Sequence, residues 1–260
     1  LLTRGDRDHW RNYVPSTFYC THSTGPMLFI SGLRPAYVVG METPLLPYMA
    51  AHGARSGSAA MEIMKLENGA MARSLHGNLK RPYLPRCRMI GTRGCMETGA
   101  AQPGQLRAYI EGKEETVFDH EAYCPETFIR NPRTAALANY VENGNFYAVE
   151  FFIGSMLGDA TATRYAIDVY QALDMSLPGL LAYRSILKGG VPVAVPDFRD
   201  AQAREPYRHD HACTDPRATS GGELLPSCSS GARPVPDAVY AREARRYEER
   251  MKTSFRPGSN

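Results

Sequence analysis

Residues 59–79 read AAMEIMKLENGAMARSLHGNL, and this stretch decides the fold class. Two alternating runs flank Asn68-Gly69, the dipeptide best suited to the positive φ angles of a tight hairpin turn. The pattern therefore predicts two paired antiparallel strands, at residues 59–66 and 70–79.

The second of these strands has two chemically different faces, because side chains alternate along a strand. The face that we expect to be mostly core carries Met71, Leu75 and Leu79. The opposite face is small and polar and carries Ala72, Ser74, His76, Asn78 and Lys80. This polar face is either a pocket floor, where His76, Asn78 and Lys80 would bind substrate hydroxyls, or a solvent-facing sheet surface.

Further antiparallel strands and then helices complete the pattern. Two more hairpins have turns at residues 91–94 and 112–113, and YVVGMET at 37–43 predicts another strand. From residue 145 apolar residues recur three and four apart, as in helices that pack on a core, and Gly189-Gly190 predicts where the last of these helices stops. Within it, Pro178 predicts either a kink or the start of a new helix capped by Ser176. The predicted class is α+β, a two-layer fold with an open, largely antiparallel sheet of about six or more strands backed by helices.

Composition limits the possible partners and the domain organisation. Of 260 residues, 43% are hydrophobic and 22% charged, and the net charge is +3. Lys and Arg are scattered, so the sequence indicates neither a nucleic-acid nor a membrane partner. We expect a domain at residues 1–217, a flexible linker at 218–236 and a charged helical tail at 237–260.

The cysteines indicate a compartment. All six stand outside any CxxC pair and show no disulfide-like spacing, which favours reduced thiols and a cytoplasmic protein. No apolar run approaches the roughly 20 residues of a membrane-spanning helix.

The segment STFYCTHSTGPMLF, residues 16–29, is the first candidate for chemistry. Pro26 has no N–H to donate to the carbonyl of His22, so either a helix kinks at His22 or a new helix begins at Pro26. In both cases His22 and the nearby Tyr19, Thr21 and Ser23 would lie at a break where backbone groups are available to a ligand. The alternative is a hydrogen-bonded core histidine.

Other catalytic signatures are absent from the sequence. There is no GxGxxG after a strand, no GxxxxGK[ST] and no GxSxG. The run YRHDHACTD, residues 207–215, contains potential metal ligands, but alternate positions in one short run do not make a tetrahedral set. We therefore expect no metal site.

Four segments, in order, resemble the C-terminal half of Gfo/Idh/MocA oxidoreductases, the group typified by glucose–fructose oxidoreductase and inositol dehydrogenase. They are DRDHWRNYVPSTFYCTHSTGPMLFISGLRPAYVVG, LENGAMARSLHGNLKRP, IGTRGCMET and YAIDVYQALDMSLPGLLAYRSILKGGVPVAVPDFR. Within them, GTRGCMET resembles the family's GTxGxxE hairpin, and SILKGGVPVAVPDF resembles its closing helix and strand.

The resemblance implies a cofactor domain outside this chain. In the family an N-terminal Rossmann domain holds NAD or NADP, so we expect that domain to precede Leu1. On this interpretation the chain is a fragment that binds no cofactor alone and is inactive by itself.

The resemblance also implies an activity and its residues. His22 matches the histidine of the family's DxGxH-type motif, which transfers a proton as hydride moves between substrate and nicotinamide, whereas Phe18 stands in place of its Asp. The implied substrate is a sugar, cyclitol or related polyol, and the implied assembly is a homo-oligomer formed through the sheet. An NAD-dependent glycosidase of the same superfamily and a catalytically silent sugar-binding module are the alternatives. The implied substrate-binding residues are Tyr19, Thr21, His76, Asn78 and Lys80.

Overall fold

The computed structural model describes residues 3–77, 87–98, 105–113, 116–119 and 144–254. It divides into two compact units, one from Leu1–Lys80 and Ala172–Asn260 and the other from Arg81–Gln171. Asn78, Leu79 and Lys80, which the sequence analysis assigned to the faces of the second strand, lie outside the described residues.

The described residues contain the following elements. The strands are β1 (Pro35–Glu42), β2 (Ala59–Leu66), β3 (Met71–Gly77), β4 (Arg88–Gly91), β5 (Gly94–Thr98), β6 (Gln105–Ile110), β7 (Thr116–Asp119) and β8 (Val193–Ala194). The helices are α1 (Thr21–Ser31), α2 (Pro47–Ala50), α3 (Gly144–Met156), α4 (Ala160–Tyr165), α5 (Val169–Leu187), α6 (Ala201–Arg204) and α7 (Asp237–Ser254), with 3-10 turns at Trp10–Asn12 and Glu205–Tyr207.

The first unit contains a four-stranded antiparallel sheet in the order β3-β2-β1-β8. The predicted hairpin between β2 and β3 is confirmed: Gly69 has a φ of 87°, and the N–H of Leu66 donates to the carbonyl of Ala70 at 2.8 Å. We call the face that packs on α1 and α5 the inner face and the opposite face the outer face.

The prediction of which face of β3 is core is wrong. Met71 and Leu75 are 81% and 72% exposed, whereas Ala72 and Ser74 are buried on the inner face. Small side chains on this face let the helices approach the strands closely. At Gly40 of β1, for example, an added Cβ would lie 2.4 Å from the carbonyl oxygen of Ala182 in α5.

Helix α1 follows neither of the two predicted arrangements. It begins at Thr21, so His22 lies in its first turn and Pro26 lies inside it. The helix ends at Gly32, whose φ of 66° is the left-handed conformation of a C-cap and whose N–H donates to the carbonyl of Leu28 at 2.9 Å.

Helix α5 is the long helix that the apolar spacing predicts. It continues through Pro178, and Ser176 donates to the carbonyl of Ala172 at 2.7 Å instead of capping a new helix. The predicted stop is confirmed, since Gly189 and Gly190 have φ values of 81° and 86°. Residues of α5 also form much of the buried core with inner-face residues, among them Val38, Met64, Ala72, Met175, Leu177, Leu181 and Ala182.

The second unit contains a four-stranded antiparallel meander, β4-β5-β6-β7, together with α3 and α4. Both hairpins predicted here are confirmed, and Gly91 pairs with Gly94 across the first turn. The α+β class with antiparallel strands backed by helices is therefore confirmed, with the described strands divided between two sheets rather than gathered in one.

The chain after residue 217 ends in α7, the helix predicted for the tail. Tyr240 and Glu243 of this helix are buried, and the Tyr240 hydroxyl donates to the carbonyl of Gly53 at 3.1 Å. The domain boundaries at 217 and 236 stay a prediction. No helix in the described part of the chain has the length and apolar character to cross a membrane.

Candidate functional site

His22 lies on an exposed surface at the start of α1. Its imidazole is exposed, and its ring centroid is 6.2 Å from that of Tyr19. Thr21, the neighbouring candidate, is exposed as well. The alternative of a core histidine is therefore wrong for His22, and the structure brings together three of the predicted site residues.

Three aromatic side chains continue this surface. Trp10, Phe18 and Tyr19 are each about two-fifths exposed, at 42%, 38% and 40%. Neighbouring rings lie 6.1 Å apart from Trp10 to Phe18 and 5.2 Å apart from Phe18 to Tyr19. We call Trp10, Phe18, Tyr19 and His22 the aromatic row. The Arg11 guanidinium lies over two of these rings, with its Cζ 4.8 Å from the centroid of Trp10 and 5.9 Å from that of Tyr19. The row ends in the exposed imidazole of His22.

The opposite side of this segment is anchored to α5. The Thr24 hydroxyl donates to the carbonyl of Met175 at 2.6 Å, and the Cys20 thiol lies 3.4 Å from the same carbonyl. The Thr17 hydroxyl donates to the carbonyl of Gly179 at 2.7 Å. The two backbones are close here, because a Cβ added at Gly179 would lie 2.4 Å from the carbonyl oxygen of Thr17. These buried contacts place His22 on the exposed side of the segment.

Cys20 is a buried thiol rather than a nucleophile. Burial, with the nearby charge of Glu62 as a second cause, raises the pKa of Cys20 to about 12. Because a thiolate is the reactive form, Cys20 is inert near neutral pH.

His76 lies on the inner face, beneath α1. The alternative prediction, in which the polar face of β3 is a solvent-facing sheet surface, is therefore wrong. Its side chain is 7% exposed, and its Nε2 is 2.9 Å from the Ser74 hydroxyl and 3.4 Å from Oε1 of Glu62. The Ser74 hydroxyl in turn contacts the hydroxyl of Ser23 in α1. The role of His76 in binding substrate stays a prediction, as do the roles of Asn78 and Lys80.

Glu62 is the polar residue of this region that the sequence analysis missed. Glu62 is directly opposite Ser74 in the β2–β3 register and is fully buried. The sequence contained a signal for it, because alternation along β2 puts Glu62 on the same face as Ala60, Met64 and Leu66.

The described residues contain no group of three or more His, Cys, Asp and Glu side chains that could hold a metal ion. Within the run that contained potential ligands, Asp210 forms an ion pair with Arg184.

Comparison with known proteins shows what the fold resembles. No protein-family model matches the sequence, and no curated protein matches it. Among solved structures, an oxidoreductase from Sinorhizobium meliloti matches with a TM-score of 0.50 and 15% identity, over 69% of this chain and 52% of that chain.

Two further matches have lower TM-scores. An inositol dehydrogenase homolog from Azotobacter vinelandii, complexed with NADH and myo-inositol, has a TM-score of 0.49 and 17% identity over 68% of this chain and 50% of that chain. An aldose-aldose oxidoreductase from Caulobacter crescentus, complexed with glycerol, has a TM-score of 0.46 and 14% identity over 73% and 51%. The chain thus spans about half the length of these structures.

At these identities the likeness shows the fold. The chain is similar in its α+β fold to a solved oxidoreductase, as the resemblance predicts, and the predicted fold class is confirmed.

Proposed function

We propose that this chain is the substrate-binding domain of an NAD(P)-dependent oxidoreductase that transfers hydride between nicotinamide and a sugar, cyclitol or related polyol. The observation that carries the proposal is the exposed imidazole of His22 at the start of α1, beside Tyr19, on a fold shared with an oxidoreductase. His22 also matches the position of the family's acid–base histidine.

The proposed role of His22 is proton transfer. When a polyol is oxidised, the substrate carbon loses a hydride and its hydroxyl loses a proton, which leaves a carbonyl group. Bound NAD(P)⁺ would supply the hydride acceptor. His22 would accept the hydroxyl proton and return it in the reverse reaction, as imidazole does in many enzymes. Tyr19 and Thr21, which flank His22 on the exposed surface, would orient the substrate hydroxyls, as would His76, Asn78 and Lys80.

The residues of this chain do not fit a dinucleotide site by themselves, because the sequence contains no glycine-rich phosphate-binding fingerprint. The proposal therefore assigns NAD or NADP to another domain of the whole protein. This chain would contribute the proton-transfer group and the substrate contacts.

Replacing His22 tests the proposal in the full-length protein. Polyol oxidation would be followed as NAD(P)H formation, and His22→Ala should lower kcat by at least about a hundredfold, the usual size of a general acid–base contribution. His209→Ala, at an exposed histidine elsewhere, is the matched control and should leave kcat unchanged. Near-normal turnover of the His22 variant would rule out the assignment.

Phe18 favours a second candidate class, because it stands where the family's motif has Asp. A glycosidase that uses NAD in a transient oxidation would cleave aryl glycosides with no net NADH formation. A silent binding module would show sugar-induced thermal stabilisation without any turnover. The same preparations therefore distinguish all three candidates.

The outer face supports the proposed homo-oligomer. Its exposed side chains include the apolar Tyr37, Met41, Ile63, Met71 and Leu75, with the cations Lys65 and Arg73 among them. Tyr37, Ile63 and Met71 also line an apolar groove of about 210 Å³ on this face. Large contiguous apolar patches mark interaction sites on soluble proteins, and a second copy presents a matching apolar sheet.

A further inference from the structure

A buried chain of polar side chains connects α1 to the inner face of the sheet. The Ser23 hydroxyl contacts the Ser74 hydroxyl, which lies 2.9 Å from Nε2 of His76, and the same nitrogen lies 3.4 Å from Oε1 of Glu62. We call Ser23, Ser74, His76 and Glu62 the buried polar chain. It spans α1, β3 and β2 and begins one residue after His22.

Glu62 makes the buried polar chain unfavourable for the stability of the folded protein. Its side chain is 0% exposed, and neither carboxylate oxygen has a hydrogen-bond partner within the described part of the chain. In that part, His76 is the ion-pair partner that the structure places within reach. Burial of a carboxylate without donors is costly, and a well-packed neutral side chain is often more stable at such a position. Residues that break a packing rule in this way are expected at functional sites.

The buried polar chain is linked to His22 through helix α1. Helix α1 is anchored to α5 through Thr24 and to β3 through the contact between Ser23 and Ser74. Anchors on two different elements restrict rotation of the helix about its axis. Since His22 lies in the first turn of α1, immediately before Ser23 and Thr24, the direction of its imidazole depends on both anchors.

We propose that Glu62, His76 and Ser74 are positioning residues that hold α1, through Ser23, in the orientation at which His22 meets the substrate. This inference rests on the proposed function of His22. The three residues act through the helix and need no contact with substrate for this role.

Kinetics and stability, measured together in the full-length protein, distinguish positioning from a structural role. Glu62→Gln and Ser74→Ala should each lower kcat by at least about tenfold with KM unchanged, because a displaced acid–base group slows the chemical step. Glu62→Gln keeps the shape of the side chain and should leave the melting temperature within about 2 °C of the parent value, since the lost contact with His76 offsets the removal of a buried carboxylate without donors. Ser31→Ala at the other end of α1, where the hydroxyl donates to the carbonyl of Leu28 and accepts from the N–H of Leu33, is the control and should leave kcat unchanged.

Either of two results would overturn the inference: an unchanged kcat in both variants, or a melting temperature that falls together with kcat in Glu62→Gln. The second result would mean that the network only supports the fold.

Amide hydrogen exchange tests the inference separately from activity. In Ser74→Ala the amides of α1 should exchange about fivefold faster, as expected for the loss of one hydrogen bond, while those of β1 should be unchanged. If His22→Ala retains turnover, the proposed function fails, but the exchange result still decides whether the buried polar chain holds α1 in place. Unchanged exchange in α1 would overturn the positioning role whatever the activity.

Discussion

The two faces of the first sheet differ in a way that departs from the usual pattern, because buried polar groups lie among the core residues of the inner face and large apolar side chains are exposed on the outer face. The inner face, under α1 and α5, contains a buried carboxylate, an imidazole and a serine, whereas the outer face exposes large apolar side chains. Elsewhere a half-buried sheet has its apolar residues inside and its polar residues outside. On the two proposals above, the outer face would serve association and the inner face would orient α1.

The largest expected effect is a difference between the two faces in how much a substitution lowers the free energy of unfolding. Met64 on the inner face is fully buried and Met71 on the outer face is 81% exposed. In the monomeric chain, Met64→Ala should lower the free energy of unfolding by about 3 kcal/mol, because it removes buried apolar volume. Met71→Ala should change it by less than about 0.5 kcal/mol. Urea unfolding at low protein concentration measures both, and equal effects would contradict the assignment of faces.

The next effect tests how closely α5 approaches the inner face. Gly40→Ala would place a Cβ 2.4 Å from the Ala182 carbonyl oxygen, so we expect it to lower the free energy of unfolding by about 2 kcal/mol. Gly25→Ala, whose added Cβ would lie 3.8 Å from the sulfur of Met175, is the control. It should be neutral or stabilise α1 by up to about 1 kcal/mol. A tolerated alanine at Gly40 would mean that the helix packs less closely.

Cys20, buried beside Glu62, gives the inner region a pH dependence. Burial and the Glu62 charge raise the pKa of Cys20 from 9.0 to about 12, so the native state keeps a proton that the unfolded state loses. The stabilising effect is therefore complete below about pH 9 and is lost as the pH rises towards 12. Urea unfolding at pH 8 and pH 10.5 should show a decline that is smaller in Cys20→Ala. Identical declines in the two proteins would show that Cys20 does not cause the effect.

The smallest effect on unfolding is expected at the outer face, where association should change instead. Ile63→Lys places a charge on the apolar face and should convert the proposed oligomer to monomers, with less than about 0.5 kcal/mol change in the free energy of unfolding of the monomer. Leu224→Lys, at an exposed leucine elsewhere, should leave the oligomer intact. Sedimentation velocity measures both, and an unchanged oligomer in Ile63→Lys would remove the outer face as the interface.

Local sequence signals predicted local structure well. Asn68-Gly69 predicted the β2–β3 hairpin, and Gly189-Gly190 predicted the end of α5, because backbone conformations with positive φ require such residues. His22 was predicted from a family motif, and the structure places it on an exposed surface. What failed was the assignment of faces, since alternation shows which residues share a face but not which face meets the helices.

By itself, the sequence determined the antiparallel class, the main hairpins, the long apolar helix and the resemblance that singled out His22. These depend on neighbours in sequence, on periodicity and on short motifs. Only the tertiary structure decided that the small polar face of β3 is the buried one and that Glu62 lies beside His76 and beneath Ser23. The physical reason is that helix packing selects the face that permits close approach, and the contacts it creates join residues far apart in the chain.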